Sequence, residues 1–147
     1  MKILLVEDDE DKRSRIAEFI KNELEANIDI ARSFQSGRKS ISEKKYDLIL
    51  LDMSMPTFDI SPLESGGRSQ PFGGRTLLFE MQRRNINTKV VVITQFDFFG
   101  VDDEEITLEE LDLELKNSFS QNYLGAVPFN IGYEDWKENL LKKIKNV

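Results

Sequence analysis

Five short apolar runs, separated by amphipathic stretches, constrain the fold of this chain more than any other feature. Runs of this length alternating with helical patterns are typical of βα units, in which a parallel sheet is covered by helices on both faces. The sequence therefore predicts an α/β fold with a doubly wound, five-stranded parallel sheet. The predicted strands are Lys2–Val6, Ile28–Arg32, Asp47–Asp52, Lys89–Thr94 and approximately Tyr123–Val127. Apolar residues at helical spacing mark the first and last helices: Ile16, Phe19, Ile20 and Leu24, then Trp136, Leu140, Leu141 and Ile144.

Composition excludes several classes of function. The 147 residues fit a single domain, 1–147, with enough chain to bury a full core. The chain has neither cysteine nor histidine, so it offers no disulfide, no thiolate or imidazole metal ligand and no Ser-His or Cys-His catalysis. A net charge of −7 argues against direct nucleic-acid binding and against an anionic membrane surface. No apolar stretch is long enough for a signal peptide or a bilayer span, and we expect a cytoplasmic protein.

Local signals place two helix starts and one long loop. Ser33 is predicted to cap the second helix, and Thr107 with Glu110 forms a capping-box pattern before the fourth. Residues 57–74 are rich in glycine, proline and serine and are predicted to form a long loop, a kind of segment that is often functional.

Acidic residues follow two of the predicted strands. Glu7 and Asp8 leave the first strand, and Asp52 ends a strand that is apolar on both faces. Ligands bind at the carboxyl ends of parallel strands, where the strand order reverses. If the first and third strands are neighbours at that point, the three carboxylates converge there. A divalent cation such as Mg²⁺ would relieve their mutual repulsion.

A hydroxyl completes this predicted site. Thr94 ends the apolar fourth strand at the same edge, and a carboxylate nucleophile, a metal and a hydroxyl donor together suit phosphoryl transfer to Asp52. Simpler interpretations stay open for single residues: Asp8 or Asp9 is equally explained as a helix N-cap, and threonine simply favours strands.

Across nearly its whole length the chain resembles the receiver domains of bacterial response regulators (CheY-like). Five segments carry the resemblance: ILLVEDDE at 3–10, DLILLDMSMP at 47–56, GGRTLLFEM at 73–81, VVVIT at 90–94 and VPF at 127–129. The resemblance implies a flavodoxin-like sheet in the order 2-1-3-4-5. It also implies phosphorylation by a partner histidine kinase or phosphotransfer protein, a downstream protein target, and dimerisation in some members.

Residue by residue, the resemblance assigns five positions. Glu7 and Asp8 match the acidic pair that holds Mg²⁺, and Asp52 matches the phosphoacceptor, which also contacts the metal. Ser54 matches the position whose main-chain carbonyl contacts the metal. Thr94 matches the switch hydroxyl that turns toward the phosphoryl group.

The chain departs from the family pattern at the phosphate-binding lysine. Receivers normally carry this lysine before the proline that follows the fifth strand, and here that position is Val127. Because fixed charge beside a phosphoryl group contributes strongly to such sites, its loss is expected to matter. One hypothesis is that Arg68, or Arg75 just beyond the 57–74 loop, folds over the site and replaces the lysine; the alternatives for this loop are a solvated insertion or a partner-binding surface. The aromatic switch position is also ambiguous, since an ungapped match places Leu124 there and Tyr123 one residue away.

Three functions compete on these observations. The favoured one is a single-domain response regulator that signals by protein–protein contact and is not an enzyme, because the chain ends after the fifth predicted helix. The alternative is a pseudo-receiver, a binding module that no longer uses phosphorylation, which the missing lysine favours. An aspartyl phosphatase is disfavoured, because Ser54 stands where such enzymes place a second aspartate as general acid.

Overall fold

A five-stranded parallel sheet forms the centre of the molecule. The computed structural model describes residues 1–61, 63, 65–100, 103 and 105–147. Strands are numbered along the chain: β1 Lys2–Val6, β2 Asn27–Ala31, β3 Leu48–Leu51, β4 Met55–Pro56, β5 Ser69–Gln70, β6 Lys89–Thr94, β7 Phe98–Phe99, β8 Ile106–Thr107 and β9 Tyr123–Pro128. The central sheet has the order β2-β1-β3-β6-β9, and all its pairs are parallel. The predicted doubly wound sheet and its order 2-1-3-4-5 are confirmed.

Within the described part of the chain, five α-helices cover the two faces of this sheet: α1 Glu10–Glu23, α2 Phe34–Glu43, α3 Gly73–Arg83, α4 Leu108–Ser118 and α5 Asp135–Ile144. One apolar cluster lies between the sheet and α2, α3 and α4, and the other lies between the sheet and α1 and α5. Leu48–Leu51 is buried on both sides, because successive residues of β3 point alternately into the two clusters. The apolar character of this strand therefore follows from its central place in the sheet.

Ser33 and Thr107 cap their helices as predicted, but only the Ser33 cap is a complete capping box. The Ser33 hydroxyl accepts from the Ser36 amide, and the Ser36 hydroxyl accepts from the Ser33 amide, which completes a capping box. The Thr107 hydroxyl accepts from the Glu110 amide at 3.1 Å. The Glu110 carboxylate, however, accepts from the Thr107 hydroxyl at 3.2 Å, so this second cap differs from the reciprocal main-chain pattern of a capping box.

The segment predicted as a long loop contains regular structure. β4 and β5 pair in antiparallel fashion, and α3 already begins at Gly73, so residues 57–74 are only partly irregular. The segment folds back onto α2: the Gln35 amide donates to the Thr57 carbonyl at 2.9 Å, and the Ser36 hydroxyl donates to Asp59 at 2.8 Å. Pro62 and Glu64 lie outside the described residues. The described part of the segment therefore contains the connecting residues and second strand of a hairpin that contacts α2, followed by the start of α3.

Among the described residues, each helix is too short or too polar to cross a membrane.

Candidate functional site

Three carboxylates converge where β1 and β3 end. Glu7, Asp8 and Asp52 offer carboxylate oxygens that all lie within 4.8 Å of one another. The two strands are adjacent, and the last rung between them is the hydrogen bond from the Asp52 amide to the Val6 carbonyl at 3.1 Å. Glu7 and Asp52 are only 2% and 4% exposed, whereas Asp8 is partly exposed. The structure thus brings together the three acidic residues that the sequence singled out.

Neighbouring main-chain amides orient these carboxylates. One Asp52 oxygen accepts from the amide of Met53 at 2.7 Å, and Glu7 accepts from the amide of Asp9 at 3.2 Å. Asp9 itself caps α1 by accepting from the Lys12 amide at 2.8 Å. Asp9 therefore fulfils the N-cap role that the sequence left open, while Asp8 remains part of the acidic cluster.

A buried lysine lies among the carboxylates. The Nζ of Lys12, from the first turn of α1, lies 2.5 Å from Glu7 Oε1 and 3.4 Å from Asp52 Oδ2. The same ammonium donates to the Ile93 carbonyl at 2.8 Å, and the side chain is fully buried. Lys12 therefore supplies positive charge inside the cluster.

Burial perturbs both buried carboxyls, and repulsion by Asp52 adds to the effect on Glu7. Desolvation, followed by the charge of Asp52, raises the pKa of Glu7 to about 8, although Lys12 opposes the shift. Desolvation also raises the pKa of Asp52, against the charge of Lys12 and the Met53 amide. A carboxylate cluster that resists ionisation in this way favours a cation, because a positive charge stabilises the ionised form of each member.

Hard divalent cations match the ligands that the cluster offers. Carboxylate oxygens at the edge of a water-accessible cleft are the ligand type that Mg²⁺ prefers, together with waters and phosphate oxygens. The arrangement of Glu7, Asp8 and Asp52 resembles the magnesium site of receiver domains.

The cluster opens into a cleft of about 370 Å³. The cleft is lined by the acidic residues and by parts of three loops: Glu7, Asp8, Asp9, Asp52, Ser54, Met55, Pro56, Ile60, Ser65, Gly67, Ser69, Gln95 and Phe96. Ser54 belongs to this lining, as its predicted role requires. The β4–β5 hairpin and the bulky residues after β6 form the walls of this cleft.

Thr94 lies at the end of β6, in the position that the sequence predicts. Its side chain is buried, and its hydroxyl oxygen accepts from the Phe96 amide at 3.1 Å. The Thr94 carbonyl accepts from the Phe129 amide at 2.8 Å, which ties β6 to the end of β9.

The expectation that Arg75 covers the site is wrong. Its guanidinium donates to Glu114 of α4 at 2.9 Å and lies 4.2 Å from the centre of the Phe72 ring. Arg68 does not belong to the cleft lining either, and its carbonyl accepts from Thr57. The side chain of Val127 is buried in the apolar cluster under α1 and α5.

Lys12 is the site residue that reasoning from the sequence missed. It lies within a run of charged residues at the start of α1, where a lysine is usually solvated. One signal was available: Lys12 precedes Ile16 and Ile20 at intervals of four, so it shares the buried stripe of its helix.

The chain matches the model of the response regulator receiver domain family over residues 3–100. It is 34% identical over 148 residues to the Detocs response regulatory protein DtcB of Enterobacter cloacae, and the match covers 98% of each chain. It is 33% identical over 141 residues to the uncharacterized protein y4jR of Sinorhizobium fredii, covering 93% of this chain and 92% of that one.

Solved structures agree on the fold. The crystal structure of a CheY-like response regulator receiver domain protein from Methanospirillum hungatei superposes with a TM-score of 0.65. The sequences are 21% identical, and the superposition covers 99% of this chain and 90% of that chain. With the family match and the relatives of similar length, this likeness leads to one conclusion: the chain belongs to the response regulator receiver domain family.

Proposed function

We propose that this protein accepts a phosphoryl group on Asp52 from a phosphorylated histidine of a kinase or phosphotransfer protein. The observation that carries the proposal is the position of Asp52, which ends a buried central strand inside a cluster of carboxylates and faces a cleft. In the transfer, an Asp52 oxygen attacks phosphorus, the P–N bond of the donor breaks, and an acyl phosphate forms on Asp52. The chain contains no histidine, so the donor histidine belongs to another protein.

The acidic cluster would hold Mg²⁺ during this reaction. Glu7, Asp8, Asp52 and the main-chain carbonyl of Ser54 are the proposed ligands. When bound, Mg²⁺ neutralises charge on the phosphoryl oxygens and on the attacking carboxylate. Thr94 is the proposed switch residue, whose hydroxyl donates to the phosphoryl group and so reports phosphorylation to the loops after β6.

The proposed output is contact with a downstream protein in the cytoplasm rather than catalysis on a substrate. The similarity to a response regulatory protein along 98% of both chains supports a signalling role. A pseudo-receiver, which binds partners without phosphorylation, is the second candidate, and Val127 in place of the usual lysine favours it. The retained acidic cluster and Thr94 favour a response regulator that is controlled by phosphorylation.

Intact mass after incubation with Mg²⁺ and acetyl phosphate separates the two functions. We expect the wild-type protein to gain one phosphoryl group and Asp52→Asn to gain none. Asp11→Asn, which removes an exposed carboxylate on α1, serves as the control and should be modified like the wild type. Absence of phosphorylation in all three proteins, from acetyl phosphate and from phosphorylated donor proteins alike, would support the pseudo-receiver.

A further inference from the structure

The burial of Lys12 is the feature that the proposed function leaves unexplained. Lysine is almost never fully buried unless it is paired, because an ammonium loses its hydration in the interior. Here the side chain is 0% exposed and crosses from the first turn of α1 to the end of β6. The protein keeps a desolvated cation next to its candidate phosphoacceptor.

The three donors of the ammonium match three acceptors. Lys12 Nζ contacts Glu7 Oε1 at 2.5 Å, the Ile93 carbonyl at 2.8 Å and Asp52 Oδ2 at 3.4 Å. The first two contacts hold the ammonium in place. The contact to Asp52 is the longest, so it is the one most readily exchanged for a phosphoryl oxygen attached to the same carboxylate.

The Lys12 ammonium lies close to the end of β9, where receivers normally carry the phosphate-binding lysine. Val127 is fully buried in the cluster that contains Ile16 of α1, and the Lys12 ammonium lies 5.9 Å from the centre of the Phe129 ring, two residues further along. The apolar end of β9 and the charged start of α1 therefore meet beside Asp52. The ammonium of Lys12 therefore lies near the place where other receivers have a lysine at the end of the fifth strand.

We propose that Lys12 binds the phosphoryl oxygens on Asp52 and replaces the lysine absent at position 127. This assignment rests on the proposed function of Asp52 as the phosphoacceptor. Phosphorylation turns the Asp52 carboxylate into an acyl phosphate that carries its negative charge on the phosphoryl oxygens. The ammonium keeps its proton, remains bound to Glu7 and Ile93, and donates to those oxygens in place of Asp52 Oδ2.

Binding of beryllofluoride, a mimic of the phosphoryl group, tests the assignment against a purely structural role. Lys12→Met keeps an unbranched side chain as far as Cε and removes the ammonium. We expect it to bind beryllofluoride in saturating Mg²⁺ about 10²-fold more weakly than the wild type, the usual effect of losing one preorganised donor. Its affinity for Mg²⁺ alone should be equal or higher, because a positive charge has left the cluster. Lys12→Gln, which still donates hydrogen bonds to Glu7 and Ile93, gives the same comparison if Lys12→Met does not fold.

Returning the lysine to the fifth strand of the sheet provides a rescue. In the Lys12→Met background, Val127→Lys should restore most of the lost affinity for beryllofluoride. Val127→Met in the same background is the matched control, because it adds bulk without charge and should restore none.

Two results would overturn the assignment. Equal affinity of wild type and Lys12→Met for beryllofluoride would show that the ammonium does not bind the phosphoryl group. An equal loss of affinity for beryllofluoride and for Mg²⁺ would show that Lys12 only maintains the structure of the cluster. If the wild type itself bound Mg²⁺ but not beryllofluoride, the proposed function would fail, and the assignment of Lys12 would fail with it.

Discussion

At the scale of single residues, Gly74 determines how closely α3 approaches the main chain at Asp52. A Cβ at this position would lie 2.6 Å from the Asp52 carbonyl oxygen and 3.1 Å from Met53 Cα, both of them main-chain atoms. The Gly74 amide also donates to the Met53 carbonyl at 2.9 Å. Glycine is therefore required here for close packing of backbone against backbone.

Gly74→Ala is expected to lower the free energy of unfolding by about 1–3 kcal/mol, since the added methyl overpacks a rigid site. Gly132→Ala is the matched control, because the nearest atom to its added Cβ is the Asn130 side-chain oxygen at 3.4 Å. Urea denaturation of both variants measures the difference. Equal midpoints for the two variants would show that the start of α3 can shift to accommodate the methyl group without loss of stability.

The carboxylate of Asp29, held by Tyr46 and Lys44, is expected to make the stability of the fold depend on pH. The Tyr46 hydroxyl donates to Asp29 Oδ2 at 2.7 Å, and Lys44 Nζ lies 3.2 Å from the same oxygen. The Tyr46 hydrogen bond, followed by Lys44, lowers the pKa of Asp29. A carboxyl whose pKa is lower in the folded state stabilises the fold above its unfolded pKa, and this contribution is lost as the pH falls.

Tyr46→Phe should therefore destabilise the protein most near neutral pH. The difference from wild type should shrink as the pH falls below the ordinary aspartate pKa of about 3.9 and through the lowered pKa of Asp29. Unfolding free energies measured at several pH values test this. Tyr133→Phe, at an exposed tyrosine, should show no such trend. A difference between wild type and Tyr46→Phe that is constant with pH would contradict the assignment to Asp29.

The contacts of Lys12 are an example of what could not be predicted from the sequence. Glu7, Asp8 and Asp52 could be placed together from the positions of two strand ends, because parallel neighbours end at the same edge of a sheet. The identity of the cation depends on which side chain of α1 reaches the Ile93 carbonyl, which is 81 residues away in the chain. Spacing within α1 indicates a buried face but not the partner that compensates the charge.

At the scale of elements, a bulge in β9 decides which side chain faces α4. Val90 pairs with Tyr123 and Val91 with Gly125, so Leu124 is the extra residue. Gly125 has a φ of 145°, a value that residues with a Cβ rarely adopt. Tyr123 consequently joins the cluster under α4, and Leu124 packs on the opposite face. The ambiguity between these two positions could not be resolved from an ungapped match, because a bulge shifts the register by one residue.

The Tyr123 hydroxyl fixes α4 by donating to Asp112 at 2.5 Å. Tyr123→Phe removes this hydrogen bond without changing the packing of the ring, and we expect a loss of about 1–2 kcal/mol in the free energy of unfolding. A double-mutant cycle with Asp112→Asn isolates the pairwise contribution. A coupling energy near zero would show that α4 is held by its apolar contacts alone.

At the scale of the whole molecule, the alternation of apolar and amphipathic segments was sufficient to predict a parallel sheet covered by helices, whereas the strand order came from the resemblance to receiver domains. The hairpin in the 57–74 segment was not predictable. Its strands are only two residues long, and contacts with α2, such as that from Ser36 to Asp59, add to the hydrogen bonds within the hairpin. Insertions of this kind depend on the surface onto which they fold.

The net charge of −7 and the acidic cluster together lead to a prediction for the whole fold. If Mg²⁺ binds the folded protein at the proposed site, it stabilises the fold by about 2.7 kcal/mol at a concentration of 100 times its Kd. The unfolded chain does not hold the three carboxylates together, so it should not share this gain. Thermal denaturation in increasing Mg²⁺, at constant ionic strength, should show a steady rise in midpoint.

Two variants with the same change in net charge separate site binding from general screening. Asp8→Asn removes a proposed ligand and should lose most of the stabilisation by Mg²⁺. Asp11→Asn removes an exposed carboxylate on α1, paired with Arg15, and should respond like the wild type. An equal response of the two variants would mean that Mg²⁺ acts by screening the acidic surface, since only a specific site distinguishes carboxylates three residues apart.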